Sequence, residues 1–203
     1  MIQIFLAGEG RNELGDHASE EPYRSDRPSP GVLEALLAQV QPSGWKIAGA
    51  VRWRDLPKLR VGLGKRGEEH NVRAAHHHAK KRGCHVLAFS RDRDNPKFAH
   101  RTDDIERAIT DLATDPAGPS IIGAVAIERL ESWLLATFGE HGSESHRHPE
   151  SHLESKGLPS KDTAAMVAHI ERTGLAAIPP DARSFNLWLT RARAALTAAE
   201  TPR

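Results

Sequence analysis

Cys84-His85-Val86-Leu87-Ala88-Phe89-Ser90 runs directly into Arg91-Asp92-Arg93-Asp94-Asn95-Pro96. The first part is an unbroken apolar or small stretch without polar alternation, the pattern of a strand covered on both faces. The second part is charged and then broken by Asn-Pro, so the strand ends among carboxylates. A strand of this kind needs parallel neighbours and helical cover, and the flanking sequence supplies both. Upstream, Ile2–Ala7 reads as a buried strand entering the turn Gly8-Glu9-Gly10, and 11–30 reads as a proline-broken loop. Val32–Val40 has helical spacing and stops at Pro42-Ser43-Gly44; Trp45–Trp53 reads as a strand, and Glu68–Arg82 as a helix closed by Gly83. Downstream, a helix from Asp103/Asp104 to Leu112 precedes a strand at Ile121–Ile127 and a helix at Glu128–Phe138.

Strands alternating with helices predict an α/β fold with a mostly parallel sheet flanked by helices. The polar, histidine-rich stretch 139–160 reads as a surface loop, and Lys161–Thr173 and Arg183–Ala199 form a C-terminal helical part. We expect one domain over 1–203, with the sheet core in 1–138. In such sheets function gathers at the carboxyl ends of the strands.

Composition narrows the classes further. With 28 Lys and Arg against 27 Asp and Glu, the net charge of +1 offers no global attraction to nucleic acid, so any polyanion site must be local. One cysteine, Cys84, excludes an internal disulfide and a multi-cysteine zinc site. No apolar run approaches the ~20 residues that span a bilayer, and Ile2–Ala7 lacks the basic lead-in of a signal peptide; a soluble, cytoplasmic protein is the expectation. The 12 histidines stand out. Consecutive His76, His77 and His78 would point in different directions from a helix, which turns ~100° per residue. His146, His148 and His152 fall in the expected loop without a cysteine partner, and we read them as adventitious Zn²⁺ or Ni²⁺ binders at most. Basic residues Lys58, Arg60, Lys65, Arg66, Arg73, Lys80, Lys81 and Arg82 form a local excess suited to a phosphate backbone or to a solvated helix face. The glycine-rich 62–67 lacks the Gly-Lys-Ser/Thr ending of a nucleotide-binding loop.

Acidic residues follow each of three apolar strands: Glu9 and Glu13, Asp92 and Asp94, Glu128 and Glu131. In a parallel sheet these ends converge, and hard carboxylate oxygens meeting there suit Mg²⁺ or Mn²⁺. An extended Asp-x-Asp places both side chains on one side ~7 Å apart, and puts Arg91 and Arg93 on the other. Glu128, one helical turn before Glu131, is expected to face the same site.

At these positions the chain resembles the Toprim domain, through Gly8-Glu9-Gly10-Arg11-Asn12-Glu13 and Ser90-Arg91-Asp92-Arg93-Asp94. It is more closely similar to small bacterial Toprim-like proteins related to the overcoming-lysogenization-defect nucleases, through Ile127-Glu128-Arg129-Leu130-Glu131-Ser132-Trp133-Leu134-Leu135-Ala136, with Pro149-Glu150, Lys156, Lys161 and Ser184-Phe185 further on. The resemblance implies a Toprim-like sheet and a divalent-metal-dependent nuclease acting on DNA or RNA. It implies Glu9 as metal ligand or general acid/base, Asp92 and Asp94 as Mg²⁺ ligands, and Glu13, Glu131 and Glu128 as added acidic ligands. Lys156 and Lys161 are the implied transition-state cations. The alternative it implies is a metal- or nucleotide-binding subunit, silent until an ATPase partner joins it, as in anti-phage defence complexes.

Overall fold

The computed structural model describes residues 1–19, 28–56, 67–94 and 98–200. Lys58, Arg60, Lys65, Arg66, most of the glycine-rich stretch and Asn95-Pro96 lie outside the described residues.

Four strands form one parallel sheet in the order β2-β1-β3-β4: β1 (Ile2–Gly8), β2 (Trp45–Arg52), β3 (Val86–Asp92) and β4 (Ser120–Ala126). The chain leaves β1 towards one edge, returns past it to β3, and continues to β4. The winding direction therefore reverses between β1 and β3, where open α/β sheets form a crevice at their carboxyl ends. Alternating β-strand side chains feed two cores. Ile4, Leu6, Val86, Ala88, Ile122 and Ala124 pack beneath α2 (Val32–Val40) and the later helices, while Phe5, Ala7, Leu87, Phe89 and Val125 pack with α3 (Glu68–Lys81) and α4 (His100–Leu112).

The expected parallel α/β organisation is present, with local differences. Residues 11–18 are helical where a loop was expected: α1 (Arg11–Leu14) is followed by a 3₁₀ turn, Gly15–Ala18. The driving contact is local, because the Glu13 carboxylate reaches back to accept the Gly10 N–H at 3.0 Å. α4 begins at His100, before the aspartates expected to start it. The helix after β4 is α5 (Leu130–Thr137), so Glu128 precedes it and does not share its face with Glu131. Its backbone has φ +66° instead.

The expected surface loop 139–160 is largely folded. It contains a 3₁₀ turn at Ser143–Ser145 and α6 (Pro149–Ser155), and it buries Leu153 and Leu158 in the core. Two isolated leucines give too sparse a pattern for a periodicity argument, and polar contacts complete the segment. Glu144 caps the last helix, accepting the Ser184 and Phe185 N–H groups at 3.0 and 3.2 Å and the Ser184 hydroxyl at 2.6 Å. The C-terminal helical part is α7 (Thr163–Thr173), capped by Asp162, and α8 (Arg183–Glu200).

Two tryptophans brace β3. The Trp188 indole N–H donates to the Phe89 carbonyl and the Trp53 indole N–H to the Ser90 carbonyl, each at 2.9 Å. Beside them the Phe89 ring lies across Gly123, where an added Cβ would fall 2.2 Å from the ring. We expect Gly123→Ala to destabilise the fold by about 1–3 kcal/mol, measured as a lowered urea midpoint at unchanged slope.

Candidate functional site

The crevice at the carboxyl ends of β1, β3 and β4 collects all six predicted carboxylates, and the structure divides them into two sets. Glu9, Asp94 and Glu128 are neutralised by arginines. Arg91 bridges Glu9 and Glu68, the latter at 2.9 Å. Arg101 joins Glu68 at 3.4 Å and Asp94 at 2.6 Å, and donates to the Asp92 carbonyl at 2.8 Å. Arg93 pairs with Glu128. Charge-assisted contacts of this kind on half-buried arginines fix geometry more than they add stability.

The expectation that Asp92 and Asp94 project together fails for a backbone reason. β3 ends at Asp92, and Asp94 adopts φ +63°, outside any strand. Its N–H donates to the Glu128 carbonyl at 2.8 Å, so the two left-handed residues meet back to back. Non-glycine residues held at positive φ cost of order 1–3 kcal/mol, and they persist where the surroundings over-determine them. Here Arg101 and Arg93 hold the two side chains.

Glu13, Asp92 and Glu131 form the second set. Among the described residues none of the three has a basic ion-pair partner, yet Glu13 is 5% exposed. Asp92 Oδ1 accepts the Leu130 N–H at 2.9 Å, at the start of α5, and Glu131 lies in that helix's first turn. Burial first, and then the neighbouring Glu13, Glu131 and Asp94 charges, push the Asp92 carboxyl well above the usual carboxylate range, against the Leu130 hydrogen bond. Glu13 is raised chiefly by burial, opposed by hydrogen bonds from its own backbone and Gly10. Glu131 is raised by burial and by Glu13 and Glu150, with its own backbone N–H and Arg129 pulling the other way. Ser90 shares the Asp92 face of β3, and its hydroxyl is buried without a hydrogen-bond partner.

No three predicted carboxylates bring one oxygen each within 4.8 Å of one another; among the described residues only Glu140, His146 and His152 meet that condition. The donor chemistry of Glu13, Asp92 and Glu131 nonetheless fits a hard cation. Mg²⁺ commonly takes one or two carboxylates and keeps waters or substrate oxygens in its other positions, so a closed all-protein cage is not required.

The two lysines lie apart from this set. Lys156 Nζ contacts Glu140 Oε2 at 2.7 Å and lies over the Phe138 ring. Lys161 is exposed, next to Ser160. The Ser160 carbonyl accepts from Asn12 Nδ2 at 3.0 Å, which ties the 159–162 turn to the Glu-Gly-x-x-Glu turn. Sequence reasoning missed Arg101 and Glu68. Arg101 sits before the expected helix start, and Glu68 looks like an ordinary first-turn acid.

No helix among the described residues is long and apolar enough to cross a membrane. Comparisons with protein-family models, curated proteins and solved structures gave no match.

Because the folded chain holds protons on these three carboxyls above their ordinary values of 3.8 and 4.5, their contribution to stability is complete below that range. It is lost as pH rises through the raised folded values. Asp92→Asn keeps the acceptor for Leu130 and removes the charge. In chelator at pH 8 it should melt above the wild type, at about 2–4 °C for each kcal/mol gained, and the difference should vanish towards pH 4. Thermal melts across pH check both parts.

Proposed function

We propose that the chain is a Toprim-like, Mg²⁺- or Mn²⁺-dependent nuclease whose site is the strand-end crevice. The observation that carries this reading is the set Glu13, Asp92 and Glu131, one buried and two part-buried carboxyls that repel one another and have no basic ion-pair partner among the described residues, beside a frame of arginines. Buried like charges are costly unless a cation joins them.

Asp92, anchored on the first N–H of α5, is the best-positioned ligand, with Glu13 and Glu131 near enough for their charges to act on it. A divalent ion bound there would supply polarisation of a phosphoryl oxygen and activation of water at neutral pH. Glu9 holds the end of β3 in place, its Oε1 accepting the Asp92 N–H at 3.2 Å while Arg91 pairs with it. Arg93, Arg101 and Arg129 line the same end of the sheet and are the candidates to contact a nucleic-acid backbone, with exposed Lys161 at the rim. Lys156, engaged with Glu140, supports such a role less well.

Cleavage of labelled single- and double-stranded DNA and RNA with Mg²⁺ or Mn²⁺ tests the reading. Activity should require the metal and fall at least ~100-fold in Asp92→Asn and Glu131→Gln while circular dichroism stays unchanged. Mg²⁺ binding without cleavage would replace the nuclease with the partner-dependent binding subunit, and the absence of both would overturn the site.

A further inference from the structure

A second cluster lies at the far end of α5, outside the strand-end crevice. Glu140 follows α5, His146 follows the turn Ser143–Ser145, and His152 lies in α6. His146 Nε2 is 2.7 Å and His152 Nε2 2.6 Å from one oxygen, Glu140 Oε1. The two imidazoles stack with centroids 4.2 Å apart and planes 22° apart. Lys156, one turn beyond His152, places Nζ 2.7 Å from the other oxygen, Oε2. The Glu140 side chain is only 14% exposed, whereas the two imidazoles remain open to solvent at 34% and 39%.

The Glu140 carboxylate draws the same ring nitrogen of both histidines to one point. Two Nε2 atoms and a carboxylate oxygen meeting there form the His₂Glu donor set, and the exposed side leaves a position for water. Lys156 occupies Oε2, so the carboxylate offers Oε1 alone, and its ammonium is the outer partner that ligating carboxylates usually have. At 2.6–2.7 Å each Nε2 faces a carboxylate oxygen, which can only accept, so the imidazole form that fits carries its hydrogen on Nε2. A metal would take the place of those protons, with the ligands opening by a fraction of an ångström around bonds of about 2.0–2.2 Å. Imidazole nitrogen selects borderline transition ions over Mg²⁺.

We propose that Glu140, His146 and His152 bind one divalent transition-metal ion of the Zn²⁺ class, at a site separate from the strand-end carboxylates. The ion clips α6 to the end of α5. α6 also carries Glu150, whose Oε1 lies 3.6 Å from Arg129 and whose charge acts on Glu131, so the clip fixes one wall of the crevice.

Untagged, metal-free protein is titrated with Co²⁺ and with Zn²⁺. One equivalent of Co²⁺ should give the visible bands of a four-coordinate nitrogen/oxygen site. Zn²⁺ at 100 times its dissociation constant should raise Tm by about 5–10 °C, and excess Mg²⁺ should not compete. His146→Asn/His152→Asn should abolish both signals, while His76→Asn/His77→Asn/His78→Asn and Asp92→Asn retain them. Imidazole NMR of the wild type gives a reading independent of how the variants fold: one equivalent of Zn²⁺ should perturb chiefly two of the 12 histidines. Absence of the bands and the shift, their survival in the His146/His152 variant, or perturbation centred on His76–His78 overturns the proposal. Because these readouts need no cleavage, their failure is distinct from failure of the nuclease reading.

Discussion

β3 stays hydrogen-bonded to β4 as far as Asp92 but is paired with β1 only as far as Phe89. Beyond that point one edge of a buried strand has lost its neighbour, and buried backbone groups must find other partners. The Ser90 carbonyl takes the Trp53 indole, and the Asp92 N–H takes the Glu9 carboxylate, a side chain standing where more of β1 would otherwise run. The opening so created is the crevice, and its walls are the residues recruited to complete the strand. Glu9 is therefore structural and electrostatic at once, which explains why it carries Arg91 with it.

The parallel α/β organisation was legible because its signals are contiguous. Val86–Phe89 and Ile4–Ala7 are apolar on both faces, and only a two-sided cover satisfies them. The gathering of acids at one edge followed from parallel strands alone. Their division into a set bound by arginines and a set with no basic partner among the described residues was not legible, since it depends on φ at Asp94 and Glu128 and on Arg101 reaching across from α4. Alternation assigned Asp94 to the Asp92 face, and one left-handed residue overturned that.

Histidine spacing did not reveal the meeting of His146 with His152, for a related reason. His146 and His152 come together through a 3₁₀ turn and a short helix begun by Pro149, and neither leaves a 3.6-residue apolar pattern. What organises 139–160 is Leu153 and Leu158 in the core together with the charged contacts of Glu140 and Glu144. Polar composition marked the stretch as solvated, although its acids are occupied internally.

The back-to-back pair Asp94 and Glu128 carries a cost that any glycine would relieve, since glycine enters the left-handed region freely. The same substitution would strip the carboxylate from Arg101 or Arg93, leaving a largely buried guanidinium without its partner. Backbone relief and charge balance therefore pull in opposite directions at these two positions, and the rim of the crevice keeps its strain as the condition of keeping its arginines in place.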